Sequence, residues 1–228
     1  MKKNVMMRLA SFLLVAVLIS TSAISGTYAK YVTESNATES ARVAKFGVKI
    51  TTTGDIFSDS YLDTATTWTE NEKTTDITVQ SATEGENVIA PGTNGSLAQF
   101  NVSGTPEVDV EVTYKADLVL TNWKADGVDY CPIVFTVNGD DYKIGDAGIA
   151  YPSDLEKAVE KAIVDAYAYY HTNTNLSEVT DDLAVAWSWP FSTSDENDVK
   201  DTALGDAAAA GNAANIKLDV TMTVTQVD

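Results

Sequence analysis

The sequence predicts an all-β fold: a two-sheet antiparallel β-sandwich, jelly-roll-like, with one amphipathic helix and a short second helix inserted. Three observations carry this reading. Val108, Val110, Val112, Tyr114, Ala116, Leu118 and Leu120 alternate without a slip against Asp109, Glu111, Thr113 and Lys115, the period of a strand with one buried face. Asn138-Gly139 stands between Ile133-Phe135-Val137 and Tyr142-Ile144, the signal of a tight hairpin. Ser153 to His171 breaks the β pattern, with Leu155, Val159, Ala162, Ile163, Ala166 and Tyr170 at helical spacing and Ser153 with Glu156 as a capping box.

The other elements follow from the same rules. Phe46, Val48 and Ile50 alternate with Lys45 and Lys49 from Val43 onward and predict the first strand. Gly54 to Lys73 is irregular, with Phe57, Tyr61 and Trp68 scattered among Asp and Thr, and Ile77 with Val79 suggest a short strand. Ala90-Pro91-Gly92-Thr93-Asn94-Gly95 is a turn signal, because Pro fixes φ while Gly and Asn tolerate positive φ. It precedes a strand through Phe100 and Val102. Leu183, Val185, Trp187 and Trp189 resume the alternation, and Ile216, Leu218, Val220, Met222 and Val224 form a long final strand. Between them, Ala203 to Ala210 predicts the short second helix, ended by Gly211.

Residues 1–29 read as a secretory signal. Lys2, Lys3 and Arg8 form a basic start, Leu9 to Ile19 an apolar run too short for a comfortable membrane span, and Thr27-Tyr28-Ala29 a small-bulky-small site for a signal peptidase. Cleavage is expected between Ala29 and Lys30, with residues 30–42 left as a flexible N-terminal arm and residues 43–228 as the β-sandwich domain. No stable membrane insertion is expected after that cleavage.

Charge and residue inventory narrow the function. The 228 residues carry 33 acidic and 15 basic side chains, a net charge of -18, which argues against nucleic acid and anionic lipid as partners. Removing three basic residues and no acidic ones with the signal leaves 12 against 33, a net charge of -21. The single histidine, His171, and the single cysteine, Cys131, exclude a paired-histidine zinc site, a Cys-His dyad and an internal disulfide. His171 is read as a cation at a helix C-terminus and Cys131 as a small buried hydrophobe. Asp140 with Asp141, Asp181 with Asp182, and Asp195, Glu196, Asp198 and Asp201 are acidic clusters without EF-hand spacing. They are read as solvated loops. No catalytic residue, metal ligand or cofactor is assigned, and the chain is not expected to be an enzyme.

The junction Gly26-Thr27-Tyr28-Ala29 followed by Lys30-Tyr31-Val32-Thr33 resembles that of the TasA/camelysin family, whose exported members are processed by the SipW signal peptidase. Val43-Ala44-Lys45-Phe46-Gly47-Val48 is similar to that family's first strand, and Ile89-Ala90-Pro91-Gly92 and Asp201-Thr202-Ala203-Leu204-Gly205 match it in style. The resemblance implies a jelly-roll domain exported to the cell surface or biofilm matrix, where some relatives form fibres by donating an N-terminal strand. On that basis Lys30, Tyr31, Val32 and Thr33 form the candidate assembly arm, and the expected partners are copies of the chain or related surface subunits. The family's metalloprotease descriptions are not carried over, because this chain has no histidine cluster. The alternative is a monomeric surface module that binds glycan or protein through the helix and the segment Gly54 to Lys73.

Overall fold

The computed structural model describes residues 43–52, 56–62, 67–70, 73–76, 78–179, 183–191 and 194–227. The chain divides into two units, Met1–Arg42 and Val43–Asp228, and every described residue belongs to the second. The export signal, its cleavage between Ala29 and Lys30, and the assembly arm Lys30, Tyr31, Val32 and Thr33 lie outside the described residues.

Among the described residues the protein is mostly β, with several antiparallel sheets, two α-helices and no closed barrel. The first half contributes β1 (Val48–Thr52), β2 (Ser60–Tyr61), β3 (Thr67–Glu70), β4 (Lys73–Asp76), β5 (Val79–Gln80), β6 (Asn94–Gly104) and β7 (Val110–Thr121). Then come β8 (Lys124–Ala125), β9 (Val128–Asp129), β10 (Val134–Val137), β11 (Asp140–Tyr142), α1 (Pro152–Asp165) and β12 (Ala168–Tyr170). The chain continues with β13 (Leu183–Ser188), α2 (Asp195–Ala209) and β14 (Asn215–Gln226). A five-stranded sheet runs β1-β6-β13-β10-β11 and a three-stranded sheet β12-β7-β14, with β2-β5, β3-β4 and β8-β9 as small pairs.

One apolar cluster joins the two larger sheets and α1. Val110, Val112, Tyr114 and Leu118 of β7 are buried, as the alternation predicts. Phe135 and Val137 of β10 and Leu183, Val185 and Trp187 of β13 come from the other sheet. Phe100 on β6 meets Tyr114 on β7 edge to face at 6.2 Å between ring centres, a favoured aromatic geometry. The helix adds Leu155, Val159 and Ile163, all fully buried. Thr93 is the one polar side chain buried among the described residues. Its hydroxyl donates to the Ala90 carbonyl at 2.7 Å and accepts the Ala90 N–H at 3.1 Å, so both of its bonding modes are satisfied.

Turn chemistry acts where the sequence placed it. Asn138 and Gly139 have φ of 50° and 92°, both positive as a type I′ hairpin requires, and they join β10 to β11. The turn at Pro91-Gly92 closes with Thr93 N–H on the Ala90 carbonyl at 3.0 Å. Asn94 and Gly95 already belong to β6, so the turn is shorter than the run of turn-forming residues.

Several boundaries differ from the sequence reading. The helix expected over Ser153 to His171 starts at Pro152, whose fixed φ suits the first helical position, and ends at Asp165. The capping carboxylate is Asp154, which accepts the Tyr151 N–H at 3.2 Å, rather than Glu156. The rest of that segment becomes β12, because Ala168 and Tyr170 pair with Val112 and Val110 of β7. The second helix is not short: it begins at Asp195, capped by Ser194, whose side chain accepts the Asn197 N–H. Of the acids read as a loop, Asp195, Glu196 and Asp198 fill its first turn, where the helix dipole favours them, and Asp201 lies further along the helix. The first strand begins at Val48, after Gly47 at φ 52°, rather than at Val43.

Candidate functional site

The exposed edges of the two sheets are the places where this fold can take on new backbone partners. The described residues close one side and leave the other open.

On the closed side, β12 covers β7 at Val110 to Val112. Further along β7, α1 reaches over the edge. Glu160 Oε1 accepts the Leu118 N–H at 2.9 Å, and Glu156 Oε1 accepts the Leu120 N–H at 2.7 Å. Leu155, Val159 and Ile163 anchor the same helix in the core.

On the open side, β14 is twelve residues long and has one strand neighbour, β7, among the described residues. Val227 N–H donates to the Asp109 carbonyl at 3.0 Å in the continuation of that ladder. Antiparallel ladders alternate, so the odd-numbered residues of β14 bond to β7 and the N–H and C=O of Ile216, Leu218, Val220, Met222 and Val224 point away from it. Their side chains lie opposite Leu120, Leu118, Ala116, Tyr114 and Val112 on the core face. They are nevertheless only partly buried. Ile50 on β1 repeats the pattern: it lies opposite buried Val102 yet is 40% exposed. Two sheet edges thus carry core-facing apolar side chains that the described residues leave partly exposed.

The outward face of β14 favours an extended neighbour. Thr221, Thr223 and Thr225 are exposed, and their β-branched side chains suit a pleated surface. Lys217 and Asp219 pair with each other near its start. The short β11 edge, by contrast, carries Asp140 and Asp141, the charges by which proteins blunt an edge.

The side chains singled out for chemistry are separated by the fold. His171 does not cap a helix: it follows β12, with Nδ1 3.5 Å from Asp109 Oδ2. Asp109 also accepts the Tyr169 hydroxyl and, at 2.8 Å, the Thr172 N–H. These bonds, the Tyr169 hydroxyl first, hold the Asp109 carboxyl below its usual range. Cys131 is buried, and burial pushes its thiol up to about 12, the state of an inert thiol. Trp187 and Trp189 are core residues. Asp201 accepts the Tyr130 hydroxyl at 2.9 Å and the Trp189 indole N–H at 3.3 Å. Asp141 accepts the Thr136 hydroxyl at 2.7 Å. Asp181 and Asp182 lie outside the described residues. An open cleft of about 330 Å³ between α2 and the β8-β9 turn is lined by Asp126, Asp198 and Asp206 with Val199, Thr202 and Ala203.

Among the described residues no group of three or more His, Cys, Asp or Glu is placed to hold a metal ion, and no helix is long and apolar enough to cross a membrane. The sequence reading missed the edge contacts of Glu156 and Glu160. Their spacing of four on a helix beside a long strand was visible, but which edge the helix would meet was not. No family model, curated protein or solved structure matches the chain.

Proposed function

We propose that the chain is a non-enzymatic, secreted structural subunit of the cell surface or extracellular matrix. In this reading a jelly-roll-like β-sandwich associates with copies of itself or with related subunits by strand addition. The observation that carries it is the open edge of β14, with outward backbone groups from Ile216 to Val224 and core-facing side chains left partly exposed. A strand laid there satisfies those groups and covers that apolar surface. The donor in this reading is the arm at Lys30, Tyr31, Val32 and Thr33 of a neighbouring subunit, after cleavage at Ala29. The resemblance of the Gly26 to Thr33 junction to the TasA/camelysin family supports the same choice.

Two variants test it. Deleting Lys30 to Ser40 behind an intact signal junction removes the donor. Val220→Pro removes one outward N–H of the acceptor while sparing the bonds to β7. Both are expected to be secreted and folded by circular dichroism, yet to elute near monomer mass where the wild-type chain forms large species. Wild-type-sized assemblies from both variants would overturn the reading.

A further inference from the structure

We infer that α1 is a guard on a second strand-binding edge, and that Glu156 and Glu160 are the residues that hold it shut. The inference builds on the proposed assembly by strand addition but is tested separately from it.

The edge in question is the side of β7 that faces away from β14. Leu118 and Leu120 lie opposite Leu218 and Ile216 in the β14 ladder. By the alternation set at Val227 and Asp109, their N–H groups point away from β14. A partner strand would bond to these same groups. The edge does accept a strand further down, where Ala168 and Tyr170 of β12 pair with Val112 and Val110. At Leu118 and Leu120 two carboxylates stand in for that strand.

The substitution works because two periods match. Groups two residues apart on a strand are separated by about 7 Å, and side chains four residues apart on a helix by about 6 Å. Glu156 and Glu160 therefore meet the N–H groups of Leu120 and Leu118 in antiparallel order, at 2.7 and 2.9 Å. Their neighbours Leu155 and Val159, with Ile163, are fully buried. The lock combines charge-assisted hydrogen bonds with a docked apolar face. Among the described residues it leaves β14 as the one long open edge of the three-stranded sheet, the opposite edge strand β12 being three residues long. A subunit with one long open edge on that sheet adds partners in one direction.

The test uses the full chain in a Val220→Pro background, where the β14 edge is blocked. Glu156→Ala with Glu160→Ala frees the Leu118 and Leu120 amides while leaving the buried face of α1 intact. Hydrogen exchange at those two amides is expected to quicken roughly tenfold or more, with Val112 protected as before. The variant is expected to gain dimers or larger species in light scattering. Glu156→Gln with Glu160→Gln keeps acceptor oxygens and is expected to stay protected and monomeric. If the double alanine chain fails to fold, Glu156→Ala alone carries the test at the Leu120 amide. Unchanged exchange, or faster exchange without any gain in association, would overturn the inference. A wild-type chain that stays monomeric counts against the proposed function and leaves the expected gain in the alanine variant in force.

Discussion

The indole N–H of Trp187 donates to the Ile56 carbonyl at 2.6 Å, through space left by the missing side chain of Gly95. Trp187 and Gly95 are direct cross-strand partners in β13 and β6. Phe57 and Tyr61 flank the same indole at 5.4 and 6.2 Å between ring centres. One glycine thus lets a fully buried tryptophan tie the segment before β2 to the main sheet.

Gly95→Ala tests that arrangement. A Cβ there would stand 2.2 Å from the Ile56 carbonyl oxygen and 2.7 Å from Trp187 Nε1, and a backbone oxygen cannot yield as a flexible side chain can. The expected loss is about 3 kcal/mol, from overpacking and a weakened buried hydrogen bond. Urea unfolding followed by tryptophan fluorescence measures it. A loss under about 0.5 kcal/mol would mean that the Ile56 segment moves aside without cost.

Asp201 separates the value of an acceptor from the cost of a charge. Burial is the main cause that raises its carboxyl above the ordinary range, and the like charge of Asp198 adds to it. A raised folded value means that its contribution is complete below the ordinary carboxylate range and is lost as pH rises through the folded value. At pH 7 the ionised group is therefore a cost, offset by the bonds from Tyr130 and Trp189. Asp201→Asn keeps an acceptor oxygen and removes the charge. It is expected to match or exceed wild-type stability at pH 7, with any advantage shrinking towards pH 4. Asp201→Ala leaves two donors unpaired and is expected to cost about 2 kcal/mol. Equal losses in the two variants would show that the charge itself is needed.

Asp109 has the opposite sign. Its carboxyl is lowered by the Tyr169 hydroxyl, then by the Thr172 N–H and by His171. A lowered folded value contributes stability above the ordinary carboxylate value of about 3.9 and loses it as pH falls through the folded value. Asp109→Asn is expected to narrow the stability difference between pH 6 and pH 2.5, measured by thermal unfolding across that range. A variant whose acid sensitivity equals the wild type's would show that this cluster is electrostatically idle.

Alternation and turn chemistry made the long elements legible. β7 and β14 read directly from their period-two residues, and Asn138-Gly139 gave its hairpin. Asp126-Gly127 carries the same kind of signal, with φ of 51° and 81°, and joins β8 to β9, but strands of two residues leave no alternation to read. β12 was hidden because Ala166 and Tyr170 extend the helical spacing of α1, and only pairing with Val110 and Val112 draws that segment into a strand. α2 was read short because its first half is acidic rather than apolar, and just one of its side chains, Leu204, is buried. The open edge of β14 could not be read at all: alternation marks a core face and is silent on how many neighbours a strand has.

Salt should accelerate assembly. The chain carries a net charge of -18, so two copies repel before any backbone contact forms. The proposed contact at β14 is made by backbone groups and apolar side chains from Ile216 to Val224, and its exposed face from Thr221 to Thr225 adds hydroxyls rather than charges. The ions Lys217 and Asp219 already pair within one strand, so they offer little to a neighbour. Raising sodium chloride from about 10 to 150 mM shortens the screening length from about 30 to 8 Å. Long-range repulsion then falls while the short-range contacts stay as they are. Light scattering of purified, signal-free protein at fixed pH is expected to show faster growth across that range, with a final size that changes little. Growth that slows as salt rises would point instead to subunits joined by ion pairs, and β14 would lose its place as the joining edge.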